Sequence, residues 1–475
     1  MLFQFKFRKR NYIVGAATLL FLVTTQAFAD FVPLGSLPGG SFYSDARGIS
    51  ADGKVVVGQS NSASGYETFR WTEAGGMVGL GVLPGGAGSI AAGTSADGSV
   101  VVGISGSFTS QTAEGYRWTQ AGGMVGLGLL AGGTSSFVQG VSADGKVVVG
   151  FADDATRFQA FRWAAESGMV SLETPVSEAW AASADGSVIV GQAFSVFHAV
   201  RWTEQGVTDL GTVAGVFGNS SAHGVSPDGS VIVGGSNSPD GLVAFRWTAA
   251  TGMVSLGRLP GDASAGAVGV SADGSVAVGS SNGSEGERAF VWDIINGIRD
   301  LKEVLISQGD NLTGWRLLDA RGVSADGRTI MGQGINPAGQ RESWLARLTP
   351  VQTQVQIDIK PASDPNFINP RSHGQIPVAI LTTDTFDATT VDADNVRFGS
   401  AGIQAAALRS TLVDVNGDRR FDLLLHFKTQ DTGIRCGDTA AFLIGKTFSE
   451  ELIAGSDSLK TVGCRFKPPE RTARR

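Results

Sequence analysis

A chain of 475 residues with 37 Lys and Arg, 44 Asp and Glu, 67 Gly and two Cys is too long for one small domain and too poor in cysteine for a disulfide scaffold. Glycine at this level without a three-residue period excludes collagen and assigns the glycines to turns and bulges. An acidic chain in which only 17% of residues are charged is a poor partner for nucleic acid or an anionic membrane.

At the start, Lys6, Arg8, Lys9 and Arg10 precede a short apolar run, Tyr12 to Val23, and then Ala27-Phe28-Ala29. This pattern predicts a secretory signal peptide over residues 1–29, cleaved after Ala29. The run is shorter than the roughly 20 residues needed to span a bilayer. The mature chain is therefore expected outside the cytoplasm, secreted or periplasmic, with no integral membrane segment. Without residues 1–29 it keeps 33 basic and 44 acidic residues, a net charge of −11.

Residues 30–350 are built from a repeat. The phrase Ser-(Ala/Pro)-Asp-Gly-x-x-x-x-Gly begins at Ser50, Ser95, Ser142, Ser183, Ser226, Ser271 and Ser324, at intervals of 41 to 53 residues. About 20 residues after each phrase comes an aromatic one, Phe69-Arg70-Trp71 in the first copy and only Ser343-Trp344 in the last. A third, Gly-Met-Val-x-Leu-Gly, follows at Gly76, Gly123, Gly168 and Gly252. The Asp-Gly pair suits a turn with positive φ at Gly and an Asp side chain bonded to the backbone two residues on. Val55-Val56-Val57 lacks alternation and predicts a strand covered on both faces. Period two places Phe69 and Trp71 on one face and Arg70 on the other.

Four short strands per repeat predict an all-β fold, a seven-bladed β-propeller, with a β-solenoid as the runner-up. The stretch Val32 to Gly40 matches Val78 to Gly86, the end of a third phrase, whereas Trp344 is followed by Ala346 to Pro350 and no such strand. The first strand is thus available to complete the last blade and remove both free edges. Leu301 to Ile306, inserted before the last repeat, predicts one or two helical turns. The Asp-Gly and Phe-Arg-Trp phrases make residues 31–350 resemble bacterial extracellular proteins with HAF repeats, and Ser226-Pro227-Asp228-Gly229 alone resembles the repeats of TolB-like propellers. The first resemblance implies secretion and a propeller-like array, and carries no activity.

Past the linker at 350–354, residues 351–464 change texture. Val355 to Ile359 alternates, and Ile376 to Leu381, Phe421 to Phe427 and Ala441 to Ile444 add strands of a small β-sandwich. Ile359-Lys360-Pro361, Ile376 to Leu381 and Val462-Gly463-Cys464 resemble a C-terminal module of secreted bacterial proteins. Cys436 and Cys464, the only cysteines of an exported chain, are expected to form a disulfide. In Asp414-Val415-Asn416-Gly417-Asp418-Arg419-Arg420-Phe421-Asp422, oxygens of Asp414, Asn416, Asp418 and Asp422 and the carbonyl of Arg420 are spaced to hold a structural calcium ion, although Arg419 stands where such loops carry Gly. Residues 465–475 read as a basic, disordered tail.

His198, His223, His373 and His426 lie far apart in sequence with no metal-ligand spacing, and neither a phosphate loop nor a serine elbow is present. Most tryptophans occupy the repeat's aromatic slot, but Trp180 and Trp315 fall outside it and are the candidate ligand-binding residues. The expected function is a secreted, non-enzymatic interaction protein whose propeller face binds an extracellular polysaccharide or protein. The alternative is a glycan hydrolase or lyase on the same fold, using a carboxylate pair in the channel.

Overall fold

A computed structural model describes residues 31–464 apart from 108–111, 155, 196, 216–217, 295, 349–351, 401–404 and 449–450. The expected signal peptide and basic tail lie outside the described residues. The chain divides into two compact units after Leu348.

In the first unit, each Ser-x-Asp-Gly phrase caps its own turn. Asp52 accepts the Lys54 amide at 3.0 Å and the Ser50 hydroxyl at 2.7 Å, while Ser50 Oγ accepts the Val55 amide at 2.9 Å. Gly53 sits at φ +71°, a conformation that costs other residues energy. The same serine-to-aspartate bond recurs in the other six phrases. The Ser95 hydroxyl, with the Ser99 amide, holds the Asp97 carboxyl down to about 2, and the Ser187 amide leads in doing so for Asp185. A carboxyl depressed on folding stabilises above its unfolded pKa and loses that contribution as pH falls towards the folded value. The turns therefore hold until about pH 4 and weaken below it.

The run after each turn is a strand buried on both sides, with Val56 and Val57 at 0% exposure. Phe69 and Trp71 pack in one cluster with Met331 and Leu345 of the last repeat. The intervening arginines reach the next repeat, where Arg70, Arg117 and Arg246 donate to the turn-glycine carbonyls of Gly98, Gly145 and Gly274 at 3.0–3.1 Å.

The first antiparallel four-stranded sheet comprises Gly39–Ile49, Val55–Ser62, Gly65–Thr72 and Gly76–Gly79. Three more four-stranded sheets follow the same order, and then comes an eight-stranded sheet whose halves are joined by one parallel pair, Leu242 with Ser264. The last repeat supplies Arg316–Val323, Thr329–Ile335 and Arg341–Arg347, and its fourth strand is Phe31–Pro33. Phe31, Val32 and Pro33 pair with Ala346, Leu345 and Trp344.

This join reproduces the contacts of uninterrupted repeats. Gly81 and Gly128 donate to Glu67 and Glu114 at 2.8 and 2.9 Å, and Gly35 donates to Glu342 at 3.0 Å across the join. At the turn end, the amides of Ala51 and Ala96 donate to the next phrase's carbonyl, as do those of Ala184 and Ala272. Ala325 donates to Ala51 at 2.8 Å, linking the last repeat to the first. The repeats thus close into a ring, which an open solenoid does not. Pro227 has no amide hydrogen and supplies no such link of its own. The predicted helical insertion is a helix, Leu301–Ser307, capped by Asp300 on the Lys302 amide at 2.9 Å. It buries Leu301, Val304 and Leu305 against Trp315 and Trp344.

In the second unit, a five-stranded and a four-stranded sheet share one apolar core. Phe398 of the first sheet and Phe427 of the second meet at a tilt, with centroids 5.1 Å apart. Cys436 and Cys464 are bonded, 28 positions apart in sequence. A loop of that size stabilises by about 3.5 kcal/mol through the unfolded chain.

Candidate functional site

Two sequence-invisible regularities build a site at the centre of the ring. The first is a β-bulge. In every repeat the pairing register slips around the residue three positions before the phrase serine, as between Ala46 and Gly48 or Ala179 and Ala181. A bulge re-aims a side chain, and the residues concerned are Arg47, Ala92, Gln139, Trp180, His223, Val268 and Arg321. All seven line one axial channel of about 550 Å³. The residue that follows is Gly in six repeats, and at Gly48, Gly140, Gly224 and Gly269 the neighbouring backbones nearly touch. A Cβ on Gly48 would lie 2.9 Å from the Gly93 Cα, and one on Gly224 would lie 2.6 Å from the Val268 oxygen.

The second regularity explains the last glycine of each phrase. A Cβ at Gly58, Gly103, Gly150, Gly191, Gly234, Gly279 or Gly332 would stand 1.9–2.2 Å from a carbonyl oxygen of the paired strand. One residue further on stands a cross-strand pair in each repeat, of which Ser280 and Asp319 line the channel, and its chemistry changes around the ring. The pairs are Asp45 with Gln59, Ile90 with Ile104, Phe137 with Phe151, Glu178 with Gln192, Ser221 with Gly235, Gly266 with Ser280, and Asp319 with Gln333.

Where the last repeat meets the first, these positions form an ion cluster. Arg321 holds Asp45 at 2.7 Å and grips Asp319 through two nitrogens at 3.0 and 2.9 Å. Arg47 grips Asp45 at 3.1 and 3.0 Å. Burial pushes the Asp319 carboxyl up although Arg321 opposes it. Burial works against the Arg321 charge, but Asp319 and Asp45 outweigh it and hold the guanidinium above its ordinary pKa.

Ring order places the fourth and fifth repeats across the channel, where Trp180 and His223 meet edge to face with centroids 5.2 Å apart. Burial pushes His223 down to about 4, so its imidazole is neutral at pH 7. Burial raises Glu178, two residues before Trp180. In the third repeat Phe137 stacks on Phe151 at 5.1 Å and both meet Phe158, which is 46% exposed. The mouth thus has an ionic sector and an aromatic one.

A histidine depressed on folding binds fewer protons than it does unfolded. Stability is therefore full above pH 6.5 and falls as pH drops from 6.5 to about 4, by up to about 3 kcal/mol. His223→Gln is expected to flatten that limb of a urea-midpoint series against pH. An unchanged limb would show that another group titrates there.

Of the two tryptophans singled out from sequence, only Trp180 faces the channel. Trp315 is a correction: it is 7% exposed and packs on Phe31 at 5.0 Å, beside Trp344 in the core. The repeat there needed an extra anchor for the helical insertion, and position outside the aromatic slot could not tell anchor from platform. His198 bonds Asp209 at 2.9 Å, away from the channel lining.

In the 414–422 loop, the side-chain oxygens are engaged by the loop's own backbone. Asp414 accepts the amides of Gly417 and Arg419, Asn416 that of Asp418, and Asp418 that of Arg420. Asp422 is fully buried and accepts the amides of Thr382 and Val415 at 2.8 and 3.0 Å. Arg420 pairs with Asp384, and Arg419 adopts φ +71° at the place where calcium loops carry Gly. Among the described residues no group of three or more His, Cys, Asp or Glu is arranged to hold a metal. As folded, Asp422 does not fit the five-ligand set, because strand pairing turns it inward.

No family model matches the chain, and no curated protein matches it. Among solved structures, it is similar to TolB from Acinetobacter baumannii at 13% identity, over 53% of this chain and 60% of that one, with a TM-score of 0.35. The chain thus spans less than two thirds of that protein. An oligogalacturonate lyase in complex with manganese is 13% identical over 64% of this chain and 88% of its own, with a TM-score of 0.45. The β-propeller domain of the Trilobed protease from Pyrococcus furiosus is 14% identical over 65% and 96%, with a TM-score of 0.43. The neighbours are β-propeller proteins, and at these values the likeness carries no function. No helix among the described residues is long and apolar enough to cross a membrane.

Proposed function

We propose that residues 30–350 form a seven-bladed β-propeller in a secreted, non-enzymatic interaction protein, and that its channel mouth takes an extracellular polysaccharide or protein. Residues 351–464 would follow as a β-sandwich-like module. One observation carries this reading: a scaffold repeated to the last glycine presents side-chain pairs whose chemistry changes around the ring at the same two positions, Asp with Gln returning only in the first and last repeats. Constant framework with variable rim residues is how repeat folds separate stability from recognition.

The acidic pair expected of a hydrolase or lyase has a counterpart in Asp45 and Asp319. Both are clamped by arginines, whereas acid–base catalysis needs a carboxyl free to exchange its proton with substrate. The raised Asp319 is the observation that keeps the enzymatic alternative. Immobilised mature protein, offered a panel of bacterial and plant polysaccharides and secreted proteins, is expected to retain a ligand and release no product. Product release abolished by Asp319→Asn would replace this reading with the enzymatic one.

A structural calcium ion at 414–422 is a separate proposal, supported by the spacing of Asp414, Asn416 and Asp418. Calcium is expected to raise the melting temperature of the full chain, and Arg419→Gly to enlarge that rise by relieving the positive φ. Identical melting curves with calcium and with chelator would end it.

A further inference from the structure

We infer that the channel takes a neutral, hydroxyl-rich sugar ring stacked on Trp180, with the adjoining sugar of the same chain lying over Phe137 and Phe151. This deepens the channel-binding reading above and rests on it.

Charge decides against an anionic ligand. Arg47 and Arg321 are already matched by Asp45 and Asp319, and Glu287 adds another carboxylate to the lining. An incoming anion would compete with the bound carboxylates for the arginines and meet Glu287, at a desolvation cost with no free partner. A neutral polyol disturbs neither, because hydroxyls both donate and accept towards groups that keep their ion pairs.

Shape and polarity point the same way. A sugar ring has an apolar C–H face and a polar edge, and it needs an aromatic plane flanked by uncharged donors and acceptors. Trp180 supplies the plane. Gln139 and His223 from the adjoining repeats line the same cavity, and His223 is a neutral imidazole that can donate at one nitrogen and accept at the other. The volume of about 550 Å³ lies in the range of small-ligand sites. The next repeat round the ring from Trp180 carries the Phe137–Phe151 stack, with Phe137 two residues before the lining residue Gln139, which makes the stack the candidate second platform.

The scaffold supplies its own controls. Trp180→Ala places at a bulge the residue that the second repeat has as Ala92, and Phe151→Gln places the residue that the first has as Gln59. The test is calorimetric titration of the full mature chain with neutral hexasaccharides (gluco-, manno-, galacto- and xylo-), with hexagalacturonate, and with the monosaccharides. At least one neutral hexasaccharide is expected to bind. Trp180→Ala should weaken it at least tenfold, and Phe151→Gln should weaken the hexasaccharide but not the monosaccharide. Tighter binding of hexagalacturonate that still depends on Trp180 would overturn the neutral class and leave the channel reading standing. Binding indifferent to Trp180, or no binding by any probe, would overturn both.

Discussion

A variant lacking residues 31–37 is expected to lose the cooperative unfolding of its repeat unit and to aggregate on expression. Leu34 and Leu37, 5% and 4% exposed, pack with Val56 and Phe69 of the first repeat and Met331 and Leu345 of the last. Each contributes about 1.5–3 kcal/mol by burial, and Phe31 adds ring contacts with Trp315 and Trp344. Together these rival the whole net stability of a typical domain, about 5–15 kcal/mol. The truncation also leaves Arg341–Arg347 as a free edge, a template for intermolecular pairing. Leu34→Ala gives a graded version, expected to cost about 2–4 kcal/mol in urea unfolding. A truncated chain with an unaltered midpoint would show that the strand is dispensable and the ring closes by other contacts.

The second large effect separates two strand glycines, one that ends a repeated phrase and one that lies outside it. Gly103→Ala would push a methyl carbon to 2.0 Å from the Ile90 oxygen and 2.8 Å from the Tyr116 hydroxyl. Tyr116 is fully buried and hydrogen-bonded to Thr68 at 2.7 Å, so the strands themselves must part. The expected loss is about 3 kcal/mol or more. Gly266→Ala meets nothing within 4 Å and is expected to be neutral, or to stabilise by up to about 1 kcal/mol through the unfolded chain. Equal midpoints for the two variants would refute the close packing of the repeated glycine against its partner strand.

The turns, strands and closing strand were legible because each is a local rule repeated: Asp bonds two residues on, valine runs bury both faces, and a duplicated phrase end marks the missing strand. The two hydrogen bonds of the Ser50 hydroxyl, donated to Asp52 and accepted from the Val55 amide, were hidden, since no propensity encodes them. The site was hidden more deeply. The bulge position itself has no fixed residue, since Arg47, Ala92 and Trp180 occupy the same place, and the Gly that follows it in six repeats does not show that these side chains share a channel. Comparing the residue three before each phrase serine would have found the set. Trp180 was reached through its irregular position, and the same criterion misplaced Trp315. The 414–422 spacing gives an order of oxygens along the chain, but Asp422 belongs to a strand whose pairing decides where it points.

The latch from Gly35 to Glu342 spans 307 residues, and this governs how the ring can assemble. Loop closure over such a distance is slow relative to hairpin formation. Repeats formed early must therefore wait with an unsatisfied flank until the final strands arrive. The repeat unit is then expected to have one late, rate-limiting event, the docking of its first strand. Substitutions at Leu34 or Glu342 that preserve the final structure would register in refolding time more than in the unfolding of any single repeat.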